Sequence, residues 1–144
     1  MRRRSRECAL QLLYQLETNG LLSSPSVQAQ LGDAITEYWS SFADPAPVDR
    51  DLTERLVRGV VGQITALDEA IEGASKHWRV KRMTTVDRNL LRVAAYELRW
   101  CEDIPTNVSI NEALEIAKRF SGSESVPFLN GILDHIAKGT ATPS

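Results

Sequence analysis

Apolar residues recur along this chain at helical spacing almost from end to end. The densest stretch is Val86 to Trp100, VDRNLLRVAAYELRW. Val86, Leu90, Ala94 and Leu98 fall every four residues, Leu91 and Ala95 make a second row, and Val93 and Tyr96 close much of the remaining circumference. Asp87, Arg88, Arg92, Glu97 and Arg99 leave only a narrow polar strip. A helix apolar on most sides must be wrapped by others. Good helix formers dominate the stretch, and it contains no Gly or Pro, so it predicts a central helix.

The other segments predict helices around it. Ala9, Leu12, Leu13 and Leu16 share one face of a first helix from about Ser5 to Thr18, closed by Asn19-Gly20. A second runs from Val27 to Phe42, with a stripe of Leu31, Ala34, Ile35, Tyr38 and Phe42. Asp44-Pro45-Ala46-Pro47 is a stiff break. A long third helix begins near Asp49 to Asp51, carries Leu52, Leu56, Val60, Ile64, Leu67 and Ile71 on one line, holds Gly59 and Gly62 mid-helix and ends at Gly73. Ser75 to Thr85 reads as a short helical turn, with Thr85 as cap of the central helix. Cys101 to Pro105 is a break. Asp103 and Thr106 are cap candidates for the next helix, with Ser109 and Glu112 at capping-box spacing if it starts later. That helix carries Ile110, Ala113, Leu114, Ile116, Ala117 and Phe120 as core. After the polar loop Ser121 to Ser125, a last helix has Pro127 in its first turn and Gly139 at its end. The expectation is an all-α protein of about six to seven helices in two subdomains.

Composition narrows the function classes. The chain has 144 residues, 42% hydrophobic and 25% charged. That length buries roughly 68–70% of the unfolded surface without help from disulfide or metal. No apolar run is long enough for a membrane span, and nothing at the start reads as a secretory signal. Cys8 and Cys101 therefore read as reduced, buried small hydrophobes of a cytoplasmic protein. The net charge is −2, yet cations are gathered in patches. Arg2, Arg3, Arg4 and Arg6 open the chain, and no Lys or Arg follows between Glu7 and Asp49. A second cluster, Lys76, Arg79, Lys81 and Arg82, lies in a stretch without acids.

Four arginines at a helix start oppose the helix dipole, at about 0.3–1 kcal/mol each, so stability does not explain them. A frayed terminus is the plainer reading. Binding is the better one, because arginine offers a planar fork to phosphate and a flat face to bases, and single-stranded RNA suits both. On the wheel, Leu10 and Tyr14 lie opposite the core stripe. Leu10 reads as packing, whereas Tyr14 reads equally as packing or as a base-stacking residue. Trp78 among cations reads as packing with cation–π contact or as a partner anchor. His77, without a companion ligand, does not read as a metal site. Glu112 and Glu115 read as solvated surface. No phosphate loop, dinucleotide motif, metal-spaced cysteine pair or catalytic triad is present. The chain therefore reads as a binding protein, not an enzyme, with no cofactor.

The end-to-end pattern resembles the NusB family of bacterial transcription antitermination factors. The resemblance is carried by RRRSRECALQLLYQLETNG, by VDRNLLRVAAYEL, and by DIPTNVSINEALEIAKRF followed by PFLNGILDHIAK. It implies an all-helical fold with subdomains at about 1–74 and 75–144. It implies binding of boxA single-stranded RNA of nascent transcripts together with NusE, a ribosomal small-subunit protein. Through the RNA polymerase antitermination complex, the outcome is read-through in ribosomal RNA operons. Position by position, Arg2, Arg3, Arg4 and Arg6 match the family's RNA-binding start and Tyr14 the tyrosine of its ALY pattern. Phe120, Glu124 and Phe128 flank a loop that lies near RNA in the family. Phe120 reads as core, while Phe128 is open between packing and RNA. Trp78, Lys81 and Arg82 would lie toward the protein-partner side. Two positions depart from the family pattern: Pro127 stands where a basic residue is frequent, and Gly122 follows Ser121 where glycine usually comes directly after the phenylalanine. Family members occur as monomers or as homodimers, and a homodimer could cover the arginine arm and Tyr14. A similar module precedes the catalytic domain of some ribosomal RNA cytosine methyltransferases, which makes such a docking module the alternative function, although this chain has no methyl-donor motif. A third reading is a helical scaffold that binds only protein.

Overall fold

The computed structural model describes residues 2–44, 46–76 and 78–140; Pro45 and His77, both weighed above, lie outside the described residues. The order is α1 (Arg2–Thr18), α2 (Val27–Ser40), α3 (Arg50–Gly62), α4 (Ile64–Ser75), α5 (Thr85–Trp100), α6 (Thr106–Phe120) and α7 (Val126–Thr140). Short 3-10 turns at Val80–Arg82 and Ser123–Ser125 precede α5 and α7. The described residues contain no strand, so the fold is all-α, as the periodicity predicts. None of their helices is long and apolar enough to cross a membrane.

The chain divides into two compact units, one up to Gly62 and one from Gln63 onward. This boundary differs from the division at 74/75 expected from the sequence. The reason is that the long third helix is two helices. Gln63 leaves helical geometry (φ −120°, ψ 21°) directly after Gly62, where helix propensity is poorest. The line Leu52 to Ile71 is thus shared between α3 and α4. Nor does Gly73 end the second of these: α4 continues to Ser75 and stops at Lys76, which takes a left-handed φ of +63°.

In the first unit, α1 and α2 both pack on α3. Leu12, Leu13, Leu31, Leu56 and Val57 are almost completely buried. Ser5 clasps α1 to α3 from inside: its Oγ accepts the Asp49 N–H (2.9 Å), and its carbonyl accepts from Thr53 Oγ1 (2.8 Å). Asp49 Oδ1 in turn accepts the Leu52 N–H (3.1 Å), an N-cap for α3. Gly20 has φ +77° and closes α1, letting Leu22 N–H reach the Leu16 carbonyl at 3.0 Å.

In the second unit, α5 packs against α4, α6 and α7, and Asn89 to Ala95 form an unbroken buried run. The polar strip expected on this helix is partly interior. Arg92 grips Asp68 of α4 with two bonds (Nε–Oδ1 2.7 Å, Nη2–Oδ2 2.9 Å) and also donates to Asn89 Oδ1 (3.0 Å). Glu97 is 1% exposed and accepts from Ser109 Oγ of α6 at 2.8 Å. Ser109 is therefore a buried strut rather than a cap, and α6 starts at Thr106. Thr84, not Thr85, caps α5, accepting the Asp87 N–H at 3.1 Å.

Candidate nucleic-acid interface

The arginine start is the first turn of α1, not an arm preceding it. Helical winding separates its four cations. Arg2 and Arg3 are exposed. Arg6 is only 3% exposed, because it continues the row Ala9, Leu13, Leu16 one turn earlier. That row was visible in the sequence, and it would have removed Arg6 from the candidate RNA contacts. Arg4 lies between these cases. Its Nη2 meets Asp44 Oδ2 at 2.6 Å, its Nη1 meets Glu7 Oε1 at 3.3 Å, and its guanidinium sits 5.5 Å from the Phe42 ring centroid. Burial works against this charge, but Cys8, Asp44 and Glu7 outweigh it, and the Arg4 pKa lies above its ordinary value. Tyr14 stands on the same face as Arg3 and is 43% exposed, whereas Leu10 between them is buried. Eleven residues of helix separate Arg3 from Tyr14 by about 16 Å, so the two can grip one extended strand.

A cavity of about 630 Å³ between α1 and α2 is a poor place for a polyanion. Asp33, Glu37 and Asp44 line it together with Gln11, Gln15 and Asn19. At its edge, Tyr38 donates to Gln11 Oε1 (2.6 Å). Burial, then the contact with Cys8, pushes the Tyr38 phenol well above its ordinary pKa; burial likewise raises the Cys8 thiol. Both cysteines are free and buried.

A second concavity, about 310 Å³, belongs to the second unit. The sequence reading placed Trp78 and Arg82 toward a protein partner and Glu124 and Phe128 toward RNA; here all four line one hollow. The Trp78 and Phe128 rings meet edge to face, with centroids 6.5 Å apart at 78°. Lys81 is exposed and is not among the lining residues. The walls are held from below. Val80 and Met83 are buried, Val80 N–H reaches Glu72 Oε2 (2.8 Å), Ser75 Oγ donates to the Trp78 carbonyl (2.5 Å), and Arg88 Nη1 donates to the Met83 carbonyl (2.6 Å). Across the hollow, Ser121 Oγ donates to Asp87 Oδ1 (2.5 Å) and lies 2.8 Å from Ser125 Oγ, pinning the loop to the first turn of α5. Phe120 is not core as expected: it is 45% exposed at the last position of α6, with the Arg119 guanidinium 5.1 Å from its ring centroid. Among the described residues, no three His, Cys, Asp or Glu side chains are grouped to hold a metal ion.

The NusB family model matches residues 3–138. The chain belongs to the NusB family. The transcription antitermination protein NusB of Anaeromyxobacter dehalogenans is 46% identical over 142 residues, covering 96% of this chain and 91% of its own. NusB of Pelotomaculum thermopropionicum is 40% identical over 137 residues, covering 95% and 89%. Among solved structures, T. maritima NusB superposes with a TM-score of 0.79 at 34% identity, covering 99% of this chain and 94% of that one. A crystal structure of NusB and NusE in complex with double-stranded RNA matches in fold, with a TM-score of 0.72 at 23% identity over 95% and 96% of the two chains. NusB proteins are non-catalytic antitermination factors, and this chain is accordingly a transcription antitermination factor, not an enzyme.

Proposed function

We propose that this NusB-family chain binds boxA single-stranded RNA of nascent transcripts together with NusE, and so promotes read-through by RNA polymerase in ribosomal RNA operons, within the cytoplasm. The observation that carries the reading is the pairing of solvent-exposed cations with exposed aromatic rings. Arg2 and Arg3 stand with Tyr14 on α1, and Arg82 stands with the exposed Trp78, beside the half-buried Phe128, around the hollow of the second unit. Cations that track a backbone and rings that stack bases are what a single strand requires. The NusB solved with NusE and RNA supports the choice of partners through its shared fold. A homodimer covering Arg2, Arg3 and Tyr14 would compete with RNA, so affinity is expected to rise on dilution of the protein. The deciding experiment is fluorescence anisotropy with boxA RNA and a scrambled RNA of equal composition, each with and without NusE. Tighter binding of boxA in the presence of NusE is the expected result; equal binding of both RNAs overturns the proposal.

A further inference from the structure

In the first unit α1 and α2 both rest on α3 and scarcely touch each other, which leaves the groove of about 630 Å³ between them. Its floor is apolar: Leu12, Leu16 and Tyr38 line it and are each buried. Its two rims are polar and unlike. On the α1 side stand Gln11, Gln15 and Asn19, all exposed and four residues apart. The Asn19 N–H still reaches the Gln15 carbonyl (3.0 Å), so the helical spacing carries through to it. On the α2 side stand Asp33 and Glu37, also exposed and four residues apart. Among the described residues no hydrogen bond or ion pair engages the side chains of Gln15, Asn19, Asp33 or Glu37. Gln11 accepts from the Tyr38 hydroxyl through Oε1, which leaves its N–H donors. Stability does not explain the acid row. Like charges at i and i+4 destabilise a helix, and the chain places no Lys or Arg between Glu7 and Asp49 to offset them. Arg4 is the one cation among the described residues lining the groove, and Asp44 and Glu7 hold it.

We propose that this groove docks an extended, basic segment of a protein partner, with alternate cationic side chains on Asp33 and Glu37 and the main chain on the amide rim. The spacings agree. Residues four apart on a helix are about 6 Å apart along its axis, and alternate residues of an extended chain are about 6.4–6.8 Å apart. A cation at every second position therefore meets first one carboxylate and then the other. Gln11, Gln15 and Asn19, at the same step, meet successive main-chain groups that face one side. Side-chain amides both donate and accept, as an unpaired peptide main chain requires. A partner helix would match the acid spacing too, but its main chain is already paired and would leave the amide rim idle. The aliphatic stems of the cations lie over Leu12 and Leu16 while their heads reach the acids. The volume is within the range of built binding sites.

The full chain is titrated into two fluorescein-labelled peptides of one composition, Lys-Val-Lys-Val-Lys-Val-Lys and Lys-Lys-Lys-Lys-Val-Val-Val. Anisotropy is expected to show about fivefold tighter binding of the alternating peptide. The double substitution Asp33→Asn, Glu37→Gln is expected to weaken it about fivefold, as the loss of two exposed ion pairs allows. Glu69→Gln, Glu102→Gln removes the same charge from exposed positions of the second unit and is expected to change it less than about twofold. Both double variants keep side-chain shape at exposed sites, so neither should lower the urea midpoint. In heteronuclear NMR spectra the side-chain amide signals of Gln15 and Asn19 are expected to shift as the alternating peptide is added. Equal binding of the two peptides, or equal losses in the two double variants, means only general attraction to acidic protein and overturns the proposal. Acid-dependent binding that leaves the Gln15 and Asn19 amide signals unmoved overturns the extended mode.

Discussion

The placement of the four N-terminal arginines makes a quantitative prediction about salt. Each phosphate neutralised on a single strand contributes about −0.7 to the slope of log K against log salt. If Arg2, Arg3, Arg4 and Arg6 all contacted phosphate, the chain's first turn would account for a slope of about −2.8. The structure allows fewer contacts. Arg6 is buried, and Arg4 is held by Asp44 and Glu7. Only Arg2 and Arg3 are exposed, so their share is about −1.4. That corresponds to a loss of about sevenfold between roughly 50 and 200 mM salt. The perturbation is the double substitution Arg2→Ala, Arg3→Ala, and the assay is anisotropy titration with boxA RNA and NusE at several salt concentrations. The double variant should have a slope shallower than wild type by about 1.4. Arg4→Gln and Arg6→Met, checked for folding by circular dichroism, should leave the slope within error of wild type. A loss of about 0.7 from either of these single variants would refute the reasoning from burial, since it would mean that the first turn of α1 opens to give its inner arginines to the RNA.

Other outcomes follow from the packing. Asp68→Asn leaves the 8%-exposed Arg92 side chain with one fewer charge partner; since Asp68 itself is partly exposed, a loss of about 2–3 kcal/mol, at or below the low end for a broken buried pair, is expected in urea unfolding. Gly122→Ala forces a side chain into φ +117°, ψ 149°, a region tolerated essentially by glycine alone, at a cost of about 1–3 kcal/mol; denaturation should report that loss. Cys8 and Tyr38 both have folded pKa values raised by burial, so the unfolded chain ionises first as pH rises. Their contribution to stability is complete below the unfolded values, about 8.5 and 10, and is lost above them; Tyr38→Phe should flatten the alkaline limb of a plot of unfolding free energy against pH. Cys8 and Cys101 are 0% and 1% exposed, so an aromatic disulfide reagent should titrate neither thiol in the native protein and both in denaturant.

What the sequence determined by itself was everything governed by helical period. The apolar rows placed every helical stretch, though with α3 and α4 joined as one, and marked α5 as the enclosed one, since a 3.6-residue repeat records which sides of a helix meet other protein. It even held the fate of Arg6, in line with Ala9 and Leu13. Local chemistry was legible too, in the Gly20 closure of α1 and in Pro127 within the first turn of α7. Tertiary structure alone decided what depends on segments remote in the chain. Arg4 meets Asp44 forty residues away, and Trp78 meets Phe128 fifty residues away. Neither pairing leaves a periodic trace, so residues assigned separately to a protein partner and to RNA proved to share one hollow. The break at Gln63 likewise escaped, because the apolar line runs straight through it. Periodicity reports the side of a helix that is buried; it carries no record of which distant side chain arrives there, and that choice is made by packing.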